Sequence, residues 1–77
     1  MTPKDAILGL LEARGEGRTI CPSEAARALA GSEDDWRGQM EAVHREVDAL
    51  HAAGEIALSW KGQPLGQRRG AYRIARR

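Results

Sequence analysis

The stretch Thr19–Leu29, TICPSEAARAL, contains the one cysteine of a 77-residue chain and has the pattern of a helix start. Proline is favoured at the first position of a helix, and Pro22 follows Cys21 directly. Glu24 stands three residues after Cys21, the spacing at which a carboxylate accepts a hydrogen bond from the N-cap amide. The stretch therefore predicts a helix that begins at Pro22 and is capped by Cys21 and Glu24.

Cys21 also has a chemical interpretation, because a helix N-terminus lowers the pKa of a thiol and makes it more reactive. A nucleophilic cysteine needs a nearby base, usually a histidine held by a third group. The histidines of this chain, His44 and His51, fall on a different predicted helix. We therefore expect Cys21 to be a cap, with a thiol nucleophile or redox sensor as the alternative, and we expect no enzymatic activity.

Hydrophobic periodicity places the other elements on either side of this stretch. Thr2 and Ser32 are suited to cap the first and third helices, with Asp5 and Asp35 at the capping-box position, and Gly31 is suited to end the second. After residue 55 the apolar period changes from 3.6 to 2, which indicates strands. In chain order we predict a helix over about Pro3–Arg14, a short strand at Arg18–Ile20, a helix over Pro22–Ala30, a helix over Glu33–Ala53, a strand over Glu55–Trp60, a loop over Lys61–Gly70 and a strand over Ala71–Ala75.

Each helix has one apolar face, and these faces predict the core. The expected core positions are Ile7, Leu10 and Leu11 on the first helix; Ala25, Ala28 and Leu29 on the second; Trp36, Met40, Val43, Val47 and Leu50 on the third. Alternation along the last two strands adds Ile56, Leu58, Trp60, Tyr72 and Ile74. Large aromatic residues dominate small cores, so we interpret Trp36 and Trp60 as core residues rather than as platforms for stacking bases.

This order of elements predicts an α+β fold of the winged helix-turn-helix type, in one domain over residues 1–77. Two helices joined by a short turn form the helix-turn-helix, and the following hairpin forms the wing. Three patterns carry a family resemblance: RTICPSEAARAL (Arg18–Leu29), which includes the opening stretch, Asp35-Trp36-Arg37 and KGQP (Lys61–Pro64). They resemble a small uncharacterised bacterial family, a domain of unknown function with a winged-helix fold. The resemblance covers nearly the whole chain and implies the fold, but no activity and no catalytic residue; the wing is shorter than the family pattern suggests.

Charge is unevenly distributed along the chain. All eleven acidic residues lie within residues 1–55, whereas residues 56–77 carry six basic residues and no acid. A basic end on an acidic body is a hint of a polyanionic partner, although a solvated charged end has the same pattern. We expect a cytoplasmic protein that does not enter membranes, because no signal peptide, internal disulfide or long apolar run is evident.

Double-stranded DNA is the partner that this fold and charge distribution favour. In a helix-turn-helix the second helix enters the major groove, while a wing contacts phosphates or the minor groove. The expected nucleic-acid-binding residues are Arg37, Gln39, His44 and Arg45 on the third helix and Lys61, Arg68 and Arg69 in the wing. Acidic residues interspersed on the same helix weaken attraction to DNA, so the binding should be weak and sensitive to salt.

A docking function remains open, and a metal site has to be weighed as well. Winged helices also serve as dimerisation and docking modules, so a protein partner or a homodimer is the alternative to DNA. A metal site would use His44, Asp48 and His51, which share one helical stripe. The two histidines lie about 10.5 Å apart along the axis at ~1.5 Å per residue, which is too far for one ion. We therefore expect no metal and no cofactor.

Overall fold

A computed structural model of the chain describes residues 1–31 and 35–77. Within these residues the elements are, in chain order, α1 (Pro3–Arg14), β1 (Thr19–Ile20), α2 (Pro22–Ala30), α3 (Trp36–Ala52), β2 (Ile56–Trp60), β3 (Gln63–Leu65) and β4 (Arg73–Arg76). The α+β class is confirmed, and the order of helices and strands is consistent with a winged-helix-like arrangement.

The start of α1 confirms the predicted capping box. The Asp5 amide donates to the Thr2 hydroxyl, and the Thr2 amide donates to the Asp5 carboxylate, both at 3.1 Å. The hydrogen bond that the Asp5 carboxylate accepts from the Thr2 amide holds the pKa of this carboxyl group below its usual value, and a hydrogen bond with the Thr2 side chain lowers the pKa further. Two of the amides that a helix start leaves without partners are thereby satisfied.

Residues around Cys21 tie α1, β1 and α2 together. The Cys21 amide donates to Glu24 Oε2 at 2.7 Å, which confirms the carboxylate half of the predicted cap. The other oxygen of Glu24 accepts from Arg14, the last residue of α1, at 2.6 Å. Arg14 also donates to the Thr19 carbonyl at 3.1 Å, and Arg73 of β4 donates to the same carbonyl at 3.2 Å. One short segment therefore fixes the relative positions of two helices and the sheet.

The junction between α2 and α3 is described in part. Gly31 ends α2 in the left-handed conformation, with φ of 73°, as predicted. The predicted N-cap Ser32 and the predicted helical start at Glu33 lie outside the described residues. In the described part α3 begins at Trp36, and Asp35 precedes it without a capping hydrogen bond from its side chain.

The sheet is antiparallel with strand order β1-β4-β2-β3. The predicted pairing of β2 with β4 is confirmed, with Leu58 opposite Ile74, although β4 begins at Arg73 rather than at Ala71. The prediction of an uninterrupted loop over Lys61–Gly70 was wrong, because Gln63–Leu65 pairs with β2 as the edge strand β3. A two-residue turn makes this possible: Lys61 (φ 51°) and Gly62 (φ 80°) both take positive φ, as a tight hairpin of type I′ requires.

The core is largely aliphatic, although Tyr72 also belongs to it. Its largest fully buried side chains come from α1, α3 and three of the strands: Ile7, Leu11, Ile20, Val43, Val47, Leu50, Ile56, Leu58 and Ile74. Most of the predicted core is confirmed, but Ala28 is exposed and Ala26 is buried in its place. The buried face of α2 is turned away from Ala28 because Pro22 belongs to that face, and Ala26 lies one turn above Pro22.

Trp60 is the clearest error in the predicted core, because 41% of its surface is exposed. The contribution of β2 to the core stops at Leu58, and Trp60 is paired with Gln63 at the turn. Trp36 is half-buried and packs against the margin of the core. No helix within the described ranges is both long enough and apolar enough to cross a lipid bilayer.

Candidate nucleic-acid interface

Two of the predicted DNA-binding residues of α3, Arg37 and Arg45, lie along an exposed stripe of that helix. Arg37 and Arg45 are eight residues apart with Glu41 between them, so the three side chains follow one another at the i, i+4 spacing of a helix surface. Arg45 pairs with Glu41 at 3.3 Å, but both side chains are largely exposed, at 75% and 86%. Such a pair is weak, so the guanidinium of Arg45 can exchange Glu41 for another anion. Gln39 lies off this stripe and is half-buried.

Arg68 joins the wing, defined here as residues 61–72 between β2 and β4, to the third helix. Its Nε and Nη2 donate to the two carboxylate oxygens of Asp48 at 3.0 and 2.9 Å. The paired hydrogen bonds lower the pKa of Asp48 and raise that of Arg68. The predicted phosphate contact at Arg68 is thus occupied by a carboxylate of the same chain, and the residue positions the wing.

His44 forms a second link between α3 and the wing. Its Nδ1 lies 2.6 Å from the hydroxyl oxygen of Tyr72, and the two rings are 5.6 Å apart between centroids. Burial lowers the pKa of His44, and the nearby positive charge of Arg68 lowers it further. Burial raises the pKa of Tyr72 to about 12. At neutral pH the imidazole is therefore uncharged and the phenol keeps its proton, so the phenol can donate to Nδ1.

The two remaining wing residues are more accessible. Arg69 is exposed, directly beside the fixed Arg68. Lys61 is exposed in the tight turn, with its Nζ 6.0 Å from the centre of the Trp60 ring. The structure thus divides the predicted site into three kinds of residue. Arg37, Arg45, Lys61 and Arg69 present cations at the surface, His44 and Arg68 hold the wing against α3, and Gln39 is half-buried away from the stripe.

Sequence reasoning missed an aromatic groove, here called the Trp groove, between α2, α3 and the hairpin. It has a volume of about 480 Å³, and its lining includes Trp36, Met40, Trp60 and Tyr72. The available signal was that the chain has no phenylalanine and that both tryptophans stand next to a basic residue. That signal was outweighed by the expectation that tryptophans belong to the core of a small domain.

Two arginines lie against Trp36 at the edge of this groove. The guanidinium carbons of Arg27 and Arg37 are 4.8 and 4.6 Å from the centre of the ring. Cations at this distance from an indole are attracted by the negative face of the ring. Trp36 therefore holds one cation from α2 and one from α3 close together. Neither arginine has a carboxylate partner among the described ion pairs.

Cys21 lines the same groove as a half-buried free thiol. Its sulfur accepts a hydrogen bond from the Ser23 hydroxyl at 3.4 Å. Its amide is engaged by Glu24, as the capping interpretation expects. In the described part of the chain, the hydrogen-bond partner of the thiol is thus a hydroxyl group rather than an imidazole base.

Comparison with known proteins identifies the family of the chain. No match was found among curated proteins. The family model described as "Protein of unknown function (DUF3253)" matches residues 2–77. This match agrees with the resemblance to a domain of unknown function that the sequence motifs suggested. Because it spans all but the first residue, the chain belongs to the DUF3253 family.

Proposed function

We propose that this protein is a non-enzymatic DNA-binding module, similar to a transcription regulator, that places α3 in the major groove of duplex DNA and the wing on the backbone. The observation that carries the proposal is the double attachment of the wing to α3. Arg68 binds Asp48 through two hydrogen bonds, and His44 contacts Tyr72. A helix and a wing held in fixed relation form one surface that needs little ordering when it meets DNA.

The exposed cations of this surface have separate tasks in the proposal. Arg37 and Arg45 lie on the stripe of α3 that would face the groove, where arginine can reach guanine edges or phosphates. Lys61 and Arg69 lie in the wing, where they would contact phosphates. Arg68 acts indirectly, because its guanidinium is engaged by Asp48. This contact holds the wing, and with it Arg69, close to α3.

The acidic residues on α3 limit the strength of this binding. Glu41 lies between the two arginines of the stripe and pairs with one of them. Asp48 is neutralised by Arg68, which removes much of its repulsion toward a phosphate. Because Arg45 is paired with Glu41, about three cations, Arg37, Lys61 and Arg69, are left to meet phosphates. We therefore expect modest affinity with a moderate dependence on salt.

The competing function is docking to another protein, and the charge pattern of α3 favours it. The alternation of Arg37, Glu41 and Arg45 is suited to a partner surface of mixed charge as well as to DNA. Under this alternative, loss of the wing cations has little effect on the function.

The proposal is tested by fluorescence anisotropy with a labelled duplex of random sequence. The double variant Arg37→Gln/Arg69→Gln should bind at least tenfold more weakly than the unmodified protein, since each phosphate contact contributes to affinity. Arg18→Gln/Arg76→Gln is the matched control with the same loss of charge. Arg18 precedes β1 on the sheet edge opposite β3, and Arg76 ends β4 away from the wing. Equal weakening by both double variants would mean that only net charge matters and would contradict the proposed surface.

A further inference from the structure

All the tryptophan and tyrosine residues of the chain line one groove. The sequence has two tryptophans, one tyrosine and no phenylalanine, and all three residues line the Trp groove. The largest fully buried side chains are instead isoleucine, leucine and valine. Aromatic side chains usually supply the bulk of a small core, but here both tryptophans lie outside the buried set and meet Tyr72 in one groove, which makes the groove a candidate binding surface.

The groove offers flat apolar surface that a ligand can reach. Trp60 is 41% exposed, although it is one of the largest apolar side chains of the chain. Met40 and the half-buried Trp36 continue this apolar surface along α3. Tyr72 is buried at 3% exposure, and its hydroxyl is held by His44, so it forms a rigid part of the lining. The volume of about 480 Å³ is within the range of small-molecule sites.

The charges around the groove select the class of ligand. Both indoles have cations beside them: Arg27 and Arg37 at Trp36, and Lys61 at Trp60. These three cations stand beside the lining rather than in it. Among the described lining residues there is no aspartate or glutamate, and the arginine of the lining, Arg73, donates to Thr19. Flat aromatic surface combined with positive charge is the pattern by which proteins bind unpaired bases and the phosphates that flank them.

We propose that the Trp groove binds an unpaired base within a single nucleic-acid strand. The base stacks on Trp60, and the phosphates of the strand lie against Arg27, Arg37 and Lys61. This goes beyond the binding of duplex DNA, because a base that remains paired cannot offer its face to Trp60. The same residue types also form hot spots of protein interfaces, so a protein partner is one of the outcomes that the first test distinguishes.

The first test compares ligands by fluorescence anisotropy at low salt. A short labelled single strand of mixed sequence should bind more tightly than a strand of the same length whose sugars carry no bases, since the two carry the same phosphates. A mononucleotide should compete weakly, because it has a base without flanking phosphates. Equal binding of the abasic strand, or no binding of either strand, would overturn the proposal, and the latter result would favour a protein partner. Competition by the mononucleotide as strong as that of the strand would assign the groove to a free nucleotide instead.

The second test uses variants of the groove. Trp60→Ala should weaken binding of the single strand by about fivefold to a hundredfold, the usual loss for one stacked base. Trp60→Phe should restore most of this affinity, because phenylalanine keeps a flat ring. Arg27→Gln should lower the slope of log affinity against log salt by about 1, as loss of one phosphate contact does. Trp60 is largely outside the core, so urea unfolding should show that Trp60→Ala remains folded; a folded variant with unchanged strand affinity would contradict the proposal.

The two proposals can fail separately. Arg37 and Lys61 belong to both proposals, so the separating variants are Arg69→Gln, which should weaken only duplex binding, and Trp60→Ala, which should leave duplex affinity unchanged. A protein that binds single strands and no duplex would disprove the DNA-docking function and retain the groove. A protein that binds duplex with no preference for base-bearing single strands would do the reverse.

Discussion

Arg68 in the wing holds both carboxylate oxygens of Asp48 on α3, at 3.0 and 2.9 Å, across twenty positions of sequence. The planar guanidinium matches the planar carboxylate, so this contact fixes orientation as well as distance. It lies beside the contact between His44 and Tyr72, which joins the same two parts of the fold. Two residues that would be assigned to DNA contacts from the sequence, His44 and Arg68, therefore bind within the protein and set the position of the wing.

Removal of the Arg68 contact should move the wing more than it unfolds the protein. Both side chains are partly exposed, at 35% and 51%, so the pair should contribute about 0.5–1 kcal/mol to the free energy of unfolding. A double-mutant cycle of Arg68→Ala and Asp48→Ala, measured by urea denaturation, gives this coupling energy. Hydrogen exchange of the wing amides should rise in either single variant. A coupling energy near zero with unchanged exchange would show that the wing is positioned by other contacts.

His44 should make stability depend on pH in the mildly acidic range. Burial lowers its pKa in the folded protein from the usual 6.5, so the unfolded chain binds the proton more readily than the folded one. The free energy of unfolding should therefore fall as the pH drops below about 6.5 and level off once the folded imidazole is also protonated. Denaturation by urea at a series of pH values between about 7.5 and 5 measures this loss.

The control for this pH dependence is the other histidine. His51→Gln removes an imidazole that does not contact Tyr72 and should leave the fall in stability intact. His44→Gln should lower stability at neutral pH, because the bond with Tyr72 is weakened, but should flatten the pH profile. Carboxylates with lowered pKa values, Glu24 and Asp48, contribute stability that is lost only at lower pH. A profile that stays steep in His44→Gln would assign the effect to another group.

Substitutions at the start of α2 separate the capping role of Cys21 from a chemical one. Cys21→Ser should fold with stability within about 0.5 kcal/mol of the original, since serine is a better N-cap than cysteine. Glu24→Gln should cost about 1–2 kcal/mol, because the carboxylate binds both the Cys21 amide and Arg14. Thermal and urea unfolding measure both values. A strongly destabilised Cys21→Ser protein together with a neutral Glu24→Gln would reverse the roles assigned to these residues.

The turn at Lys61 offers a substitution that should raise stability and weaken binding at once. Lysine with φ of 51° is strained, whereas asparagine followed by glycine is the preferred pair for a type I′ turn. Lys61→Asn should therefore stabilise the protein by about 0.5 kcal/mol and lower its affinity for duplex DNA through the lost charge. The two readouts are urea unfolding and anisotropy. Stabilisation without loss of affinity would remove Lys61 from the proposed interface.

The sequence sufficed to predict elements whose start and end residues act locally. Thr2 with Asp5, Cys21 with Glu24, and Gly31 lie within a few residues of the bonds they make or the turn they form, so their patterns could be recognised without tertiary information. The alternation of Ile56 and Leu58 likewise required only a sheet with one buried face.

Features that depend on distant contacts were not predictable in this way. Strand β3 was missed because Lys61-Gly62 is a less common sequence for a tight turn than asparagine-glycine, and Pro64 argued against a strand. The exposure of Trp60 depends on where the core ends along β2, which no local pattern gives. The pairing of Arg68 with Asp48 depends on how the wing folds back on α3, so a residue that looked free in sequence is engaged in the folded protein.

The most direct test of the proposed DNA-binding function is the salt dependence of affinity for random duplex DNA. If Arg37, Lys61 and Arg69 each neutralise one phosphate, a plot of log affinity against log salt should be linear with a slope of about −3. Anisotropy of a labelled duplex between about 30 and 200 mM salt measures it. No detectable binding at ~50 mM salt, or an affinity that does not change with salt, would contradict the function proposed for α3 and the wing.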